Sequence, residues 1–345
     1  MGAMILKKAV AGALLAAAAL RLAALAGAGR ALSAWAEELR SGGAITASLS
    51  LELNSEGTPA LTEAPRQEEA AIRLVQVEVT PQPTPEAADA PLETASIIET
   101  TMLSEASIKN DTGFSVDVAA LASEGLSLHL TPDEPQILII HTHSSEAYTQ
   151  DEYDRYEESD ASRTEDKSYN VIRVGDELTE KLEGFGLNVV HDREIYDYPS
   201  YTGSYTRCGE AIERYLSEYP SIAIVIDLHR DAIGTGDTVY KTKAELSGMS
   251  CAQIMMLIGT GENGLYHPNW RENLKLALYM QNAADAKYPT LMRPVALKPE
   301  RYNQQLTTGS MILEVGSSGN TLSEALCAIR LFAGAVGPAL AELIE

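Results

Sequence analysis

The chain is short of basic residues and of cysteine. It sets 26 Lys and Arg against 49 Asp and Glu, for a formal net charge of −23. Nucleic acid is excluded as a partner on this ground, because phosphate contacts need clustered Lys and Arg. Only three cysteines occur, Cys208, Cys251 and Cys327, far apart and without any paired metal-binding spacing. They imply neither a disulfide framework nor a cysteine-held zinc. Over residues 51–135 the charge is most lopsided, with 16 acidic residues, 3 basic ones and 8 of the chain's 15 prolines. Such a stretch repels itself and has little with which to build a core, so it reads as a solvated tether.

The N-terminus differs. Lys7 and Lys8 precede an Ala/Leu-rich run to Gly29 that only Arg21 interrupts. Ala9–Leu20 suits the apolar part of a signal peptide, and the whole run reaches membrane-spanning length if Arg21 is tolerated. A lone Arg costs about 2.5 to 3.5 kcal/mol at the centre of a membrane helix and less near its end. Residues 1–30 are therefore expected to be a signal anchor or signal peptide, placing the remainder outside the cytoplasm. Residues 31–130 are expected to form an acidic, Pro-rich juxtamembrane linker, partly ordered at its end. Glu56–Glu93, with Pro81, Pro83 and Pro85, favours extended conformations. Val116–Leu121 and Leu126–Leu130 offer short apolar pieces that would pack on a main domain.

That domain is expected over 131–345. Ile137–Ile140 predicts a strand running into a polar loop. Asn170–Leu182 has Val171, Val174, Leu178 and Leu182 at helical spacing, and Leu187–Val190 comes next as a strand. Tyr205–Tyr219 predicts a helix stopped by Pro220, and Ile222–Ile226 another strand. Thr238–Lys243 and Ala252–Leu257 suggest a hairpin. Trp270–Ala286 predicts a helix, Met311–Leu313 a strand, and Thr321–Ile344 a final helix whose Thr321 and Glu324 have capping-box spacing. Strands alternating with helices imply an α/β fold with a mixed, mainly parallel sheet flanked by helices.

Three of these strands carry chemistry at their C-terminal ends, where open α/β sheets place their sites. Ile137–Ile140 leads to His141, His143 and Glu146. Ile222–Ile226 leads to His229, with Asp227 and Asp231 two residues to either side. Met311–Leu313 leads to Glu314. Two imidazoles and a carboxylate, with a second carboxylate beside them, are the inventory of a catalytic zinc site. His141 and His143, two apart, point to one face if the backbone is extended, and one of them would then orient a neighbour or contact substrate. The plainer reading of Glu314 is a carboxylate facing the dipole of the last helix, a task Glu324 suits better. Arg230, Arg301, Tyr302 and Asn303 are candidates for holding carboxylate or sugar groups, or else pack loops.

Four segments carry a family resemblance: Ile139-Ile-His-Thr-His-Ser-Ser-Glu-Ala-Tyr148, Ile226-Asp-Leu-His-Arg-Asp-Ala232, Arg301-Tyr-Asn-Gln-Gln-Leu306 and Ile312-Leu-Glu-Val-Gly-Ser-Ser-Gly-Asn-Thr321. They resemble stage II sporulation protein P, in the same order, across roughly Pro135 to the C-terminus or about 60% of the chain. The resemblance implies a fold similar to the zinc-dependent N-acetylmuramoyl-L-alanine amidases. It also implies amidase and endopeptidase activity on peptidoglycan during engulfment of the forespore. Carried over, it gives a zinc ligand at His141 or His143, further ligands at Glu146 and His229, and the catalytic carboxylate at Glu314. Partners implied are stage II sporulation proteins D and M, with the chain a single-pass membrane protein. The sequence departs from the wider amidase group, whose first His lies in a Gly-rich Asp-x-Gly-His turn. The competing readings are a catalytically silent wall-binding scaffold and a zinc deacetylase or carboxypeptidase.

Overall fold

Four consecutive apolar residues make β2 (Ile137–Ile140) a strand with both faces covered, and all four are buried. Its side chains alternate between two cores. Ile137 and Ile139 join the larger core, and Leu138 and Ile140 a smaller one on the opposite face. The computed structural model describes residues 107–345 apart from 236, 237 and 247. The expected anchor over 1–30 and the tether as far as residue 106 lie outside the described residues.

The strands in chain order are β1 (Ile108–Asn110), β2, β3 (Val189–His191), β4 (Ile224–Asp231), β5 (Gly234–Thr235), β6 (Thr238–Val239), β7 (Ala244–Leu246), β8 (Met249–Cys251), β9 (Ile254–Gly259), β10 (Val295–Lys298) and β11 (Ser310–Ser317). Seven form one sheet in the order β1-β10-β9-β11-β4-β2-β3. Five of its six pairings are parallel, and β9 with β11 is the antiparallel exception. The fold is thus α/β with a mixed, mainly parallel sheet. Two small antiparallel hairpins, β5-β6 and β7-β8, lie between β4 and β9. The hairpin expected from Thr238–Lys243 and Ala252–Leu257 does not form, because the second segment becomes β9 and spends its hydrogen bonds on β11 and β10.

The helices are α1 (Val118–Ser123), α2 (Val171–Glu183), α3 (Ser204–Glu218), α4 (Trp270–Lys287) and α5 (Leu322–Ala341). Asn170 caps α2 by accepting from Ile172 N, and Val171, Val174, Leu178 and Leu182 are fully buried on its inner side. The 3.6-residue period thus delivers one apolar stripe to the sheet. The Thr321/Glu324 capping box opens α5. Among the described residues α5 alone is long and apolar enough to cross a membrane, but it packs against α2 and α4 as a core helix. The Arg330 guanidinium of α5 clamps Glu177 of α2 at 2.7 and 3.0 Å. Helix α3 covers the other face through Cys208, Ala211 and Ile212.

Residues 107–130, the end of the expected linker, belong to the folded body: β1 pairs with β10, and Leu121, Leu128 and Leu130 are buried in the main core. Cys251 and Cys327 form a disulfide tying β8 to α5 across 76 residues. Spacing alone could not pair them, since the fold and not the sequence brings the two together. Cys208 is a buried free thiol.

Candidate active site

Strands β2, β4 and β11 run parallel, so the loop after Ile140, the end of β4 and Glu314 meet at one sheet edge. Glu314 is the register partner of His229, which puts the two on neighbouring strands at the same level.

The two histidines after β2 part company. Residues 142–145 turn instead of extending, and the same-face expectation for His141 and His143 therefore fails. His141 goes to the α2 side. Its Nδ1 lies 2.9 Å from Leu228 O and its Nε2 2.9 Å from His191 Nε2, with Asp176 at 3.2 Å from His191 Nδ1. A Cβ on Gly175 would sit 2.6 Å from His191 Nε2 and 2.8 Å from His141, so only glycine lets α2 approach the pair. Burial lowers His141 to about 4 and His191 to about 2. With both ring nitrogens engaged away from His229, His141 is not placed as a ligand beside it.

His143 goes to the α3 side. Its ring stacks on Tyr201 at 4.4 Å and meets His229 edge-on at 5.3 Å. Its Nε2 is 3.0 Å from Tyr201 Oη and its Nδ1 3.3 Å from Ser204 Oγ. Burial lowers it to about 3 despite the nearby Glu146 carboxylate. His143 is thus a neutral imidazole with a hydroxyl at either nitrogen, ready to orient one while the other binds a cation.

Glu146 Oε2 is 3.3 Å from His229 Nδ1, and Asp227 Oδ1 is 2.9 Å from His229 Nε2. The Asp227 contact is an ion pair out of line with the N–H, since Nε2 has no hydrogen-bond partner of acceptable geometry. Asp227 is itself fixed by the Thr142 N–H at 2.7 Å and hydroxyl at 2.6 Å. Burial opposes charge on His229, but the two carboxylates outweigh it and raise its proton affinity well above the ordinary value. Burial likewise pushes Glu146 up, and Arg230, His229 and Arg163 together hold it well below the usual carboxylate range.

Arg230 is turned inward. Its side chain is 5% exposed, its Nε and Nη2 donate to Ala147 O and Ser162 O, and its Nη1 is 3.5 Å from Glu146. It anchors the loop after β2. Tyr302 is also buried: its hydroxyl donates to Glu300 and its ring stands 5.9 Å from Tyr205. Asn303 donates to Tyr205 O at 2.8 Å. Both residues have positive φ, near 53° and 57°, and brace α3 instead of opening on the site. Arg301 reaches Tyr266 O at 3.4 Å.

Glu314 is partly buried, yet its Oε2 is shielded from solvent with no partner. Burial, then the Asp231 carboxylate, raise it to about 8 against the pull of His229 and Arg293. Its carboxyl is held for proton exchange near neutral pH. Sequence reasoning missed Arg163, Tyr201, Tyr205 and Arg293, which sit in loops or at a helix start and carry no motif of their own.

Among the described residues no three His, Cys, Asp or Glu side chains form a closed metal-binding group. The donors nonetheless fit a divalent cation in kind. His143, Glu146 and His229 are two imidazoles and a carboxylate, with the Glu146 carboxylate on the Nδ1 side of His229 and Asp227 on its Nε2 side, so that Nδ1 is the atom a cation shared with Glu146 would meet.

The class so defined is an α/β protein with an imidazole and carboxylate site at the carboxyl edge of its central strands. A profile of the Stage II sporulation protein P family matches residues 47–337, and the chain belongs to that family. It is 28% identical over 205 residues to Stage II sporulation protein P of Bacillus subtilis (strain 168), across 56% of this chain and 48% of the relative. The chain thus spans about half the length of the curated relative it matches. Among solved structures, the N-acetylmuramoyl-L-alanine amidase AmiC2 of Nostoc punctiforme is 13% identical with a TM-score of 0.36, covering 60% of this chain and 96% of that one. The CwlD amidase from Clostridioides difficile, in complex with the GerS lipoprotein, is 12% identical with a TM-score of 0.38, covering 60% and 98%. Both likenesses are weak.

Proposed function

We propose that this protein is a zinc-dependent peptidoglycan hydrolase of sporulation that cleaves the amide between N-acetylmuramic acid and L-alanine, with stem-peptide cross-links as second targets. The observation that carries the reading is the meeting of His143, Glu146 and His229 with Glu314 at one sheet edge, in a chain of this family. His143, Glu146 and His229 would hold the zinc. When bound, zinc lowers the pKa of its water toward ~7 and polarises the scissile carbonyl.

The chain's own residues divide the remaining work. Asp227, fixed by Thr142, orients the His229 ring, while one of the two hydroxyls beside His143, Tyr201 at Nε2 or Ser204 at Nδ1, orients that ring and the opposite nitrogen would face the zinc. Arg163 and Arg230 keep Glu146 ionised as a ligand must be. Glu314 accepts the proton of the attacking water at its carboxylate and delivers it to the amide nitrogen, which leaves as a free amine. A raised proton affinity suits both halves of that exchange.

We place the domain outside the cytoplasm, held to the membrane by the apolar N-terminal run, with stage II sporulation proteins D and M as partners. The Cys251–Cys327 disulfide supports an oxidising compartment. The test is digestion of purified peptidoglycan by the zinc-loaded full chain, with stem peptides tracked by mass spectrometry. Wild type is expected to release free stem peptides and Glu314→Gln to release none while still binding zinc. Wall binding without release by wild type, even with its partners added, would replace the enzyme with a scaffold.

A further inference from the structure

Arg293 stands just before β10, where its backbone N–H donates to Ile254 O at the start of β9. Its Nη1 bonds Asp231 at the end of β4, 2.7 Å away. Because the sheet order is β9-β11-β4, the side chain must cross β11 to get there. The residues of β11 at that level are those just past Glu314, since Val315 pairs with Ile254 and Ser317 with Asp231. Arg293 therefore lies beside Glu314 on the side away from β2.

The arginines of this edge differ in what they have left to offer. Arg163 is taken up by Asp197, Ser145 and Glu146, and Arg230 by Glu146 and two carbonyls. Arg293 has one partner: its Nε and Nη2 make no hydrogen bond or ion pair among the described residues, and its side chain is 23% exposed. Asp231 fixes the guanidinium, so little rotamer freedom remains to be lost when a ligand arrives.

From this placement we infer that Arg293 is a specificity residue that binds a carboxylate on the peptide portion of the substrate. The inference rests on the hydrolase reading and adds a direction to it. Glu314 protonates the leaving amine, so the leaving group lies on its side of the site. In the proposed cleavage that leaving group is the stem peptide, an acidic chain, and the guanidinium edge open to it is that of Arg293. A planar fork of N–H donors matches a carboxylate.

The experiment compares the zinc-loaded full chain on soluble muropeptides whose stem carboxylates are free or amidated. Wild type is expected to favour the free form by about 10- to 100-fold in kcat/KM, the range of a charge-assisted bond, with the difference in KM. Arg293→Gln is expected to lose that preference by slowing on the free form alone, and Arg293→Lys to keep part of it. Calorimetric binding of the isolated stem peptide reads the same contact without catalysis. Equal treatment of both forms by wild type, or an equal loss on both in Arg293→Gln, overturns the Arg293 assignment and leaves the hydrolase reading standing. Hydrolysis of neither form overturns that reading, and the binding comparison then still decides whether Arg293 holds the carboxylate.

Discussion

Two glycines on helices invite opposite outcomes from one substitution. Gly175 on α2 faces the His141–His191 pair, whose ring atoms would lie 2.6 to 2.8 Å from a new methyl group. Neither ring is a flexible tip able to swing aside: His141 is fully buried and held at both nitrogens. Gly334 on α5 has nothing within 4 Å of the corresponding position. Replacing a mid-helix Gly by Ala gains about 1 kcal/mol in propensity at either site. At Gly175 that gain is offset by overpacking of about 1–3 kcal/mol and by loss of the ring-to-ring hydrogen bond, about 1 kcal/mol more. Gly334→Ala should raise Tm by roughly 2–4 °C, and Gly175→Ala should lower it by a few degrees, at about 2–4 °C per kcal/mol for a domain of this size. Displacing His141 also loosens Leu228, between Asp227 and His229, so Gly175→Ala should weaken zinc binding as well. Thermal denaturation and zinc titration of the two variants check this. A Gly175→Ala protein as stable as Gly334→Ala, with wild-type zinc affinity, would refute the account of the pair as a rigid strut.

If His229 holds zinc as proposed, Asp227→Asn should weaken that binding by about 10- to 100-fold, the usual effect of removing a group that orients a metal-bound His, measurable by competition with a chelating dye. Cys327→Ser opens a 76-residue loop and should cost about 4 kcal/mol on the chain-entropy account; a denaturant midpoint unchanged from wild type and insensitive to reductant would exclude the bond as a stabiliser. Glu177, drawn down to about 2 chiefly by its hydrogen bond to Arg330, binds protons less readily folded than unfolded. Its contribution is present above about pH 4.5 and lost as pH falls from there toward 2. With Arg330 half exposed it amounts to about 1–2 kcal/mol. Glu177→Gln should flatten that part of the acid-unfolding profile, and an unchanged profile would dismiss the clamp.

The elements easiest to read from the sequence were those with an unbroken pattern. The run at 137–140 and the helical spacing from Val171 to Leu182 leave one solution each, and the capping box at Thr321 marks its helix directly. Strands β1 and β10 escaped because three or four residues at a sheet margin carry too little periodicity to stand out. The gathering of Glu146, His229 and Glu314 was legible because each comes after an apolar strand, and parallel strands share a carboxyl edge. The separation of His141 from His143 was not, because it depends on a turn at 142–145 that no spacing announces. The partners of Arg230 were not legible either: its guanidinium turns to Glu146 and to carbonyls of the loop after β2, contacts that no spacing announces. Arg293 belongs to the site only through the antiparallel junction of β9 and β11, a relation between strands that a linear reading does not contain.

The order in which the sheet is made has a consequence for when the protein can act. Strand β11 is the last strand in chain order among the described residues, yet it sits between β9 and β4 near the middle of the sheet. Until it arrives, β1-β10-β9 and β4-β2-β3 are two separate ribbons with unsatisfied inner edges, and the strand that joins them is the one that carries Glu314. A chain that adds its strands N-terminus first therefore acquires its complete sheet and the Glu314 carboxylate in a single event. Under the hydrolase proposal, a chain that has not yet delivered β11 lacks both the joined sheet and Glu314, so the activity would wait for that strand.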